Sequence, residues 1–230
     1  MRDRPLIFGT SYVPTRERLR VVELWAKVTR KLNPDCDIIL IDSASPVNLK
    51  EVCDATGIEY WSFPDNIGHL NLTGKDGWGR AFCKGVEVAI ERGYEYFVNL
   101  DSDLIFCKPC LPIIERMRCD GVKAAAPMDH VYLFLETAVS FYQTAYMQES
   151  RFIESYNWEK GPTDAAPERQ LEVLFSDRLW CLPLRGYRND HWEVTHATIR
   201  TNFPYGLDYL THVSDFSLYN RLLQMNGIEV

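Results

Sequence analysis

Tyr96-Phe-Val-Asn-Leu-Asp101-Ser-Asp103-Leu-Ile-Phe106 sets an aromatic and β-branched run directly against two carboxylates, and apolar residues resume behind them. A short apolar run of this composition reads as a buried strand. Side chains two apart on a strand share a face, so an extended Asp101-Ser102-Asp103 directs both carboxylates the same way. Two anions held that close repel unless a cation or a proton sits between them. The segment therefore predicts a divalent metal at the C-terminal end of a strand, where open α/β sheets place their ligands. An Asp-x-Asp after a strand also serves as a turn and a helix cap, so its neighbours have to discriminate.

Upstream, Gly79–Arg92 carries Phe82, Val86, Ala89 and Ile90 at helical spacing and ends at Gly93. Before it lies Pro64–Trp78, a loop rich in Gly, Asn and Asp, of a length that is more often functional than idle. Farther back, strands at Pro5–Tyr12, Asp37–Ile41 and Glu59–Phe63 alternate with helices at Arg16–Leu32 and Asn48–Ala55. That alternation predicts an α/β fold with a mainly parallel sheet covered by helices. Downstream, the pattern gives a helix over Pro112–Arg118, a strand over Val122–Pro127 and a long helix over Tyr132–Glu154. A polar loop, Tyr156–Pro167, precedes a helix over Glu168–Phe175, with Thr163 or Asp164 as its cap. Strands follow at Leu179–Leu184 and Leu207–Thr211, with Asp190–Phe203 irregular between them and a helix over Asp215–Leu223 at the end. There is no repeat or linker, and a single domain over residues 1–230 is expected.

A net charge of −7 argues against a nucleic-acid footprint, which is normally basic. No apolar run reaches the length of a transmembrane helix, and the apolar segment near Met1 is too short for a signal peptide. Cys107-Lys-Pro-Cys110 lacks the second ligand pair of a zinc site. The cysteines are expected to be reduced and mostly buried in a cytoplasmic protein.

Several segments match a known pattern in order. The first strand ends in Thr10-Ser11-Tyr12, the second in Ile41-Asp42-Ser-Ala-Ser, and Asn66-Ile-Gly68 precedes Gly79-Arg80-Ala-Phe-Cys-Lys84-Gly85. With Asp101-Ser102-Asp103, these resemble the nucleotide-sugar half of GT-A fold, DxD-containing glycosyltransferases. The resemblance implies a single GT-A-like domain with a mainly parallel, Rossmann-like central sheet flanked by helices. The nucleotide-sugar half would span about residues 1–106, with a smaller acceptor-side region over about 107–230. It implies a UDP- or GDP-sugar donor, a carbohydrate or glycoconjugate acceptor, and Mn²⁺ or Mg²⁺. By the same resemblance Thr10, Ser11, Tyr12, Asp42, Asn66 and Ser102 line the donor site, with Asp42 on the base or ribose. Arg80 or Lys84 approaches the diphosphate, and Asp101 and Asp103 hold the ribose and the metal. Cys83 stands where many members have Asn, and the loop between Gly68 and Arg80 is unusually long.

Many such enzymes add a C-terminal histidine to the metal shell, and His212, at the end of the last predicted strand, suits that role, with His196 as its competitor. His69, in the Gly-rich loop, either meets phosphate or is simply exposed. Pro167-Glu168-Arg-Gln-Leu-Glu-Val-Leu-Phe175 resembles both the "ED" helix start of inverting members and the "DQxxLN…LP" segment of retaining ones. Asp164 or Glu168 is then the candidate base for an acceptor hydroxyl, although Glu168 equally favours a helix N-terminus. Trp78, Trp158, Tyr187 and Trp192 are candidates for stacking on sugar faces. Two other classes share parts of this pattern: sugar-nucleotide nucleotidyltransferases, whose Gly-rich signature Gly9-Thr-Ser-Tyr-Val-Pro does not match well, and non-catalytic binding modules of the same fold. A phosphatase DxD would sit on the first strand and be followed by Thr or Val where Ile105 stands.

Overall fold

A computed structural model describes residues 2, 4–68, 76–128, 135–159, 171, 175, 179–188, 206–213 and 215–230. The first half alternates as expected: β1 (Leu6–Ser11), α1 (Arg16–Leu32), β2 (Asp37–Asp42), α2 (Lys50–Thr56), β3 (Glu59–Ser62), α3 (Gly77–Glu91) and β4 (Tyr96–Leu100). Then come β5 (Leu104–Phe106), α4 (Leu111–Asp120), β6 (Ala124–Pro127), β7 (Val139–Gln143), α5 (Thr144–Glu149) and α6 (Phe152–Ser155). β8 (Leu179–Leu182), β9 (Gly186–Arg188), β10 (Tyr209–Thr211) and a last helix, α7 (Phe216–Met225), complete the described elements. The predicted loop beyond 159, the helix over Glu168–Phe175 except at 171 and 175, and the whole irregular stretch Asp190–Phe203 lie outside the described residues.

The central sheet runs β3-β2-β1-β4-β7-β6-β8. Its neighbours are parallel except around β7, which is antiparallel to both β4 and β6. Helices cover both faces. Ile7 and Val98 pack with Trp25 and Val28 of α1 on one side, and Phe8 and Phe97 with Phe82 and Val86 of α3 on the other. A sheet buried on both faces needs continuously apolar strands, which β1 and β4 supply: every residue of each is buried.

Two elements depart from the sequence reading. The long helix expected over Tyr132–Glu154 is replaced by strand β7 followed by two short helices. Val139 and Phe141 pack into one core layer and Tyr142 into the other, so a strand buried on both faces presents a run without clean alternation, which periodicity alone cannot separate from a helix. Leu104–Phe106 leaves the central sheet and starts a second one, ordered β5-β10-β9.

Gly85 of α3 sits directly against Phe8, where an added Cβ would lie 2.5 Å from the ring. Phe8 cannot retreat, because it packs on Phe82 and Phe97 with ring centroids 5.6 and 5.7 Å away. Overpacking of this kind costs about 1–3 kcal/mol. Gly85→Ala is expected to lower the unfolding free energy by that amount, seen as a lower urea midpoint with an unaltered slope; a midpoint equal to that of the unmodified protein would contradict the packing described.

Candidate active site

At the C-terminal ends of β1 and β4 the chain encloses a cavity of about 390 Å³. Thr10, Ser11 and Tyr12 line it together with Asn66, Gly77 and Trp78 and with Asp101, Ser102, Asp103 and His212. The two aspartates do not lie on an extended segment, although both line the cavity. β4 stops at Leu100 and the chain turns, with the Leu104 amide donating to the Asp101 carbonyl at 2.9 Å.

Asp101 faces inward. Its Oδ1 accepts from Thr10 Oγ1 at 2.6 Å, Asn99 Nδ2 at 3.0 Å and Trp78 Nε1 at 3.2 Å, and its Oδ2 from the same indole at 3.1 Å. Burial, then the charge of Asp103, raises its carboxyl to about 6, against the opposing effect of these donors. Asp103 faces the cavity, with His212 Nδ1 at 2.9 Å from its Oδ2. The second sheet makes this pair: β10 runs antiparallel to β5 with Thr211 opposite Leu104, so the next residue, His212, falls beside Asp103. His212 adopts φ 54°, a left-handed conformation uncommon outside glycine. Tyr219 braces the corner, donating to the Asp103 carbonyl at 2.8 Å while accepting from the Val213 amide at 3.2 Å. Burial, and then Asp103, pushes the Tyr219 phenol up.

Among the described residues no three His, Cys, Asp or Glu side chains stand together as a preassembled metal cluster. Asp103 and His212 nevertheless offer one oxygen and one nitrogen donor, each about a third exposed, on the cavity wall. Mn²⁺ and Mg²⁺ are commonly held by few protein ligands, with phosphate oxygens and water completing the shell. The donor set fits such an ion. Asp101, expected as a direct ligand, lines the same cavity, with its carboxylate hydrogen-bonded to Thr10, Asn99 and Trp78.

Thr10, Ser11, Tyr12, Asn66 and Ser102 all line the cavity, and Ser102 Oγ donates to Ser11 Oγ at 2.9 Å, tying the ends of β1 and β4 together. Three expected residues are placed elsewhere. Asp42 is buried and its carboxylate accepts from the Ser45 amide and hydroxyl, Tyr60 OH and Ser62 Oγ. It shapes the turn that brings Ser43 to the cavity instead of lining it. Arg80 lies over Phe63, 3.9 Å from the ring centroid, and donates to Asp65 Oδ1 at 3.0 Å and to the Asp65 carbonyl. Lys84 pairs with Glu87 at 3.1 Å. Both cations stand on the β3 side of α3, away from the cavity. Asp164, Glu168, His196, Trp192 and His69 lie outside the described residues.

Trp78 and Asp76 gain roles that the sequence only partly disclosed. Trp78 was readable as a stacking candidate but not as the donor to Asp101. Asp76 heads α3, its carboxylate accepting from the Gly79 amide at 2.9 Å, and an Asp just before a helical run is a recognisable N-cap signal. Trp78→Phe keeps the ring that stacks on Phe82 at 5.0 Å but removes the N–H. Loss of one hydrogen bond to a buried carboxylate is worth about 1.5–3 kcal/mol. Turnover is expected to fall about tenfold or more, by steady-state kinetics, with donor KM less affected.

Residues 12–129, just over half of the chain, match Glycosyl transferase family 2. The chain belongs to that family. Its fold is the GT-A fold. Undecaprenyl-phosphate mannosyltransferase of Micrococcus luteus is 30% identical over 91 residues, which are 40% of this chain and 36% of that protein. The chain thus matches only about a third of this relative's length. The glycosyltransferase GlyE of Streptococcus pneumoniae superposes with a TM-score of 0.57 at 11% identity, covering 99% of this chain and 61% of GlyE. The mannosyltransferase PcManGT of Pyrobaculum calidifontis, solved with GDP-Man and Mn²⁺, gives a TM-score of 0.54 at 10% identity over 80% of this chain and 55% of its own. Glucosyl-3-phosphoglycerate synthase of Mycobacterium tuberculosis, solved with Mn²⁺ and UDP-glucose, gives 0.54 at 15% identity over 99% and 81%. At these identities the superpositions speak for the fold.

Proposed function

We propose that this glycosyltransferase moves a sugar from a UDP- or GDP-sugar to a hydroxyl of a carbohydrate or glycoconjugate, with Mn²⁺ or Mg²⁺ bound at Asp103 and His212. The observation that carries the reading is the Asp103–His212 pair, 2.9 Å apart on the wall of a cavity at the C-terminal end of the parallel strands. Breaking the bond between the sugar and a nucleoside diphosphate builds negative charge on the leaving phosphate, and a bound divalent ion supplies the neutralising charge there. The chain's own residues fix the geometry. The Ser102–Ser11 contact locks the two strand ends, and Thr10, Asn99 and Trp78 hold Asp101 in one orientation beneath the donor. Asp164 and Glu168 are the candidates to accept the proton of the acceptor hydroxyl. Two proteins of similar fold hold GDP-Man and UDP-glucose with Mn²⁺, which supports a nucleotide-sugar donor here.

The test is a thermal-shift screen of UDP- and GDP-sugars with and without Mn²⁺ or Mg²⁺, followed by nucleotide release from any that bind. A donor at a hundred times its Kd stabilises by about 2.7 kcal/mol, which corresponds to roughly 5–10 °C for a chain of this size. No shift with any nucleotide sugar overturns the donor assignment. A shift without nucleotide release in the presence of metal assigns a binding module in place of an enzyme site.

A further inference from the structure

Tyr219 of α7 is fully buried, in the same core as Leu104, Leu210 and Val213. A phenylalanine would fill that place without carrying a hydroxyl into the interior, and a buried hydroxyl is unfavourable unless it is hydrogen-bonded. This one is, on both sides: it donates to the Asp103 carbonyl at 2.8 Å and accepts from the Val213 amide at 3.2 Å. Neither partner belongs to α7. One is the backbone of Asp103 itself, and the other is the amide directly after His212.

The β5–β10 ladder ends at the Leu104–Thr211 pair. Asp103 and His212 stand one step beyond it, where strand pairing no longer fixes them. His212 there carries its left-handed φ of 54°, and a non-glycine residue keeps such a conformation only where its surroundings impose it. The Tyr219 hydroxyl supplies a constraint at this point. It bridges the two chains from behind, between residues 103 and 213, while the Asp103 carboxylate and the His212 imidazole meet in front at 2.9 Å.

α7 does not depend on this hydroxyl for its own hold. Asp215 caps its start, accepting from the Ser217 amide at 3.0 Å. Arg20 of α1 lies over the Phe216 ring, 4.6 Å from its centroid. Asn226 fastens the other end, donating to the Leu207 carbonyl at 3.0 Å, and Leu218, Leu222 and Leu223 bury the apolar face.

We propose that Tyr219 is a positioning residue whose hydroxyl holds Asp103 and His212 at the spacing that binds a divalent ion, and so sets the affinity for that ion. The inference rests on the reading above that the ion binds at Asp103 and His212. Removing a hydrogen-bond partner from behind metal ligands typically weakens metal binding about tenfold to a hundredfold.

The test is Mn²⁺ binding, read from the electron paramagnetic resonance of the free ion, without nucleotide and with UDP or GDP. Four proteins are compared well below their melting temperatures: the unmodified chain, Tyr219→Phe, Asn226→Ala and Asp103→Ala. Tyr219→Phe keeps the buried ring and is expected to fold, yet to bind Mn²⁺ about tenfold to a hundredfold more weakly. Asn226→Ala loosens α7 without touching the bridge, and is expected to melt lower and bind Mn²⁺ as the unmodified chain does. Mn²⁺ bound equally by Tyr219→Phe and the unmodified chain, but lost in Asp103→Ala, overturns the inference and leaves the metal site standing. Equal weakening by Asn226→Ala overturns it too, since packing of α7 and not the hydroxyl would then be responsible, as does a Tyr219→Phe chain that does not fold. An unmodified chain that binds no Mn²⁺, or an Asp103→Ala that binds it as well, removes the metal site itself and the inference with it.

Discussion

Asp103→Ala is expected to lower kcat/KM by about a thousandfold, equivalent to roughly 4 kcal/mol of transition-state stabilisation, while the protein melts close to its original temperature. The carboxylate is a third exposed and its packing partner is His212 at 2.9 Å. The group that ties this corner to the core is the Asp103 carbonyl, which accepts from Tyr219 and survives the substitution. Stability and activity therefore separate at this position. His212 needs a subtler replacement because its backbone is left-handed, φ 54°. Asn tolerates that conformation better than other non-glycine residues, so His212→Asn keeps the β10 corner and removes the imidazole. Its loss is expected to be smaller, about tenfold to a hundredfold. The double variant should fall well short of the product of the two losses, since both residues serve one ion. Chelation should abolish activity and Mn²⁺ should restore it in the unmodified protein. Full turnover by Asp103→Ala in Mn²⁺ would remove the metal site from this reading.

How much of this site could be read beforehand follows from what kind of contact holds each part. β1, β2, β3 and β4 are short apolar runs bounded by turn residues, and local pattern finds them. Asp103 and His212 end strands, and a residue at a strand end is placed by the strand itself. β7 was missed because burial on both faces erases alternation. The directions of Asp101, Arg80 and Asp42 were missed for a different reason: each is set by partners far away in sequence. Thr10 and Asp101 are ninety-one positions apart, and Asp42 is held by Tyr60 and Ser62 on the neighbouring strand. Arg80 turns away because Phe63 and Asp65, on the loop leaving β3, offer it a ring and a carboxylate. Strand ends are local properties and side-chain directions are tertiary ones.

The same distinction predicts the largest stability effect, at Asp76, a residue outside the chemistry. Asp76 is fully buried at the head of α3. Its carboxylate accepts from the Gly79 amide at 2.9 Å and from the Tyr156 hydroxyl, and its own amide donates to the Trp158 carbonyl at 2.9 Å. The start of α3 is thereby fastened to the chain leaving α6. There is no slack in this joint: a Cβ on Gly79 would stand 2.3 Å from the Tyr156 ring. Asp76→Ala removes an N-cap, worth about 1 kcal/mol, and takes the carboxylate acceptor from the buried Tyr156 hydroxyl, at about 1–3 kcal/mol. The melting temperature should drop by roughly 5–12 °C. Asp76→Asn keeps an acceptor for Gly79 and should lose about half as much, and Tyr156→Phe, which removes only the hydroxyl, less still. Because Trp78 begins two residues later and lines the cavity, Asp76→Ala should also raise donor KM at temperatures where the protein remains folded. A melting temperature within 2 °C of the original, roughly 1 kcal/mol at most, would mean that the head of α3 is held by something other than this aspartate.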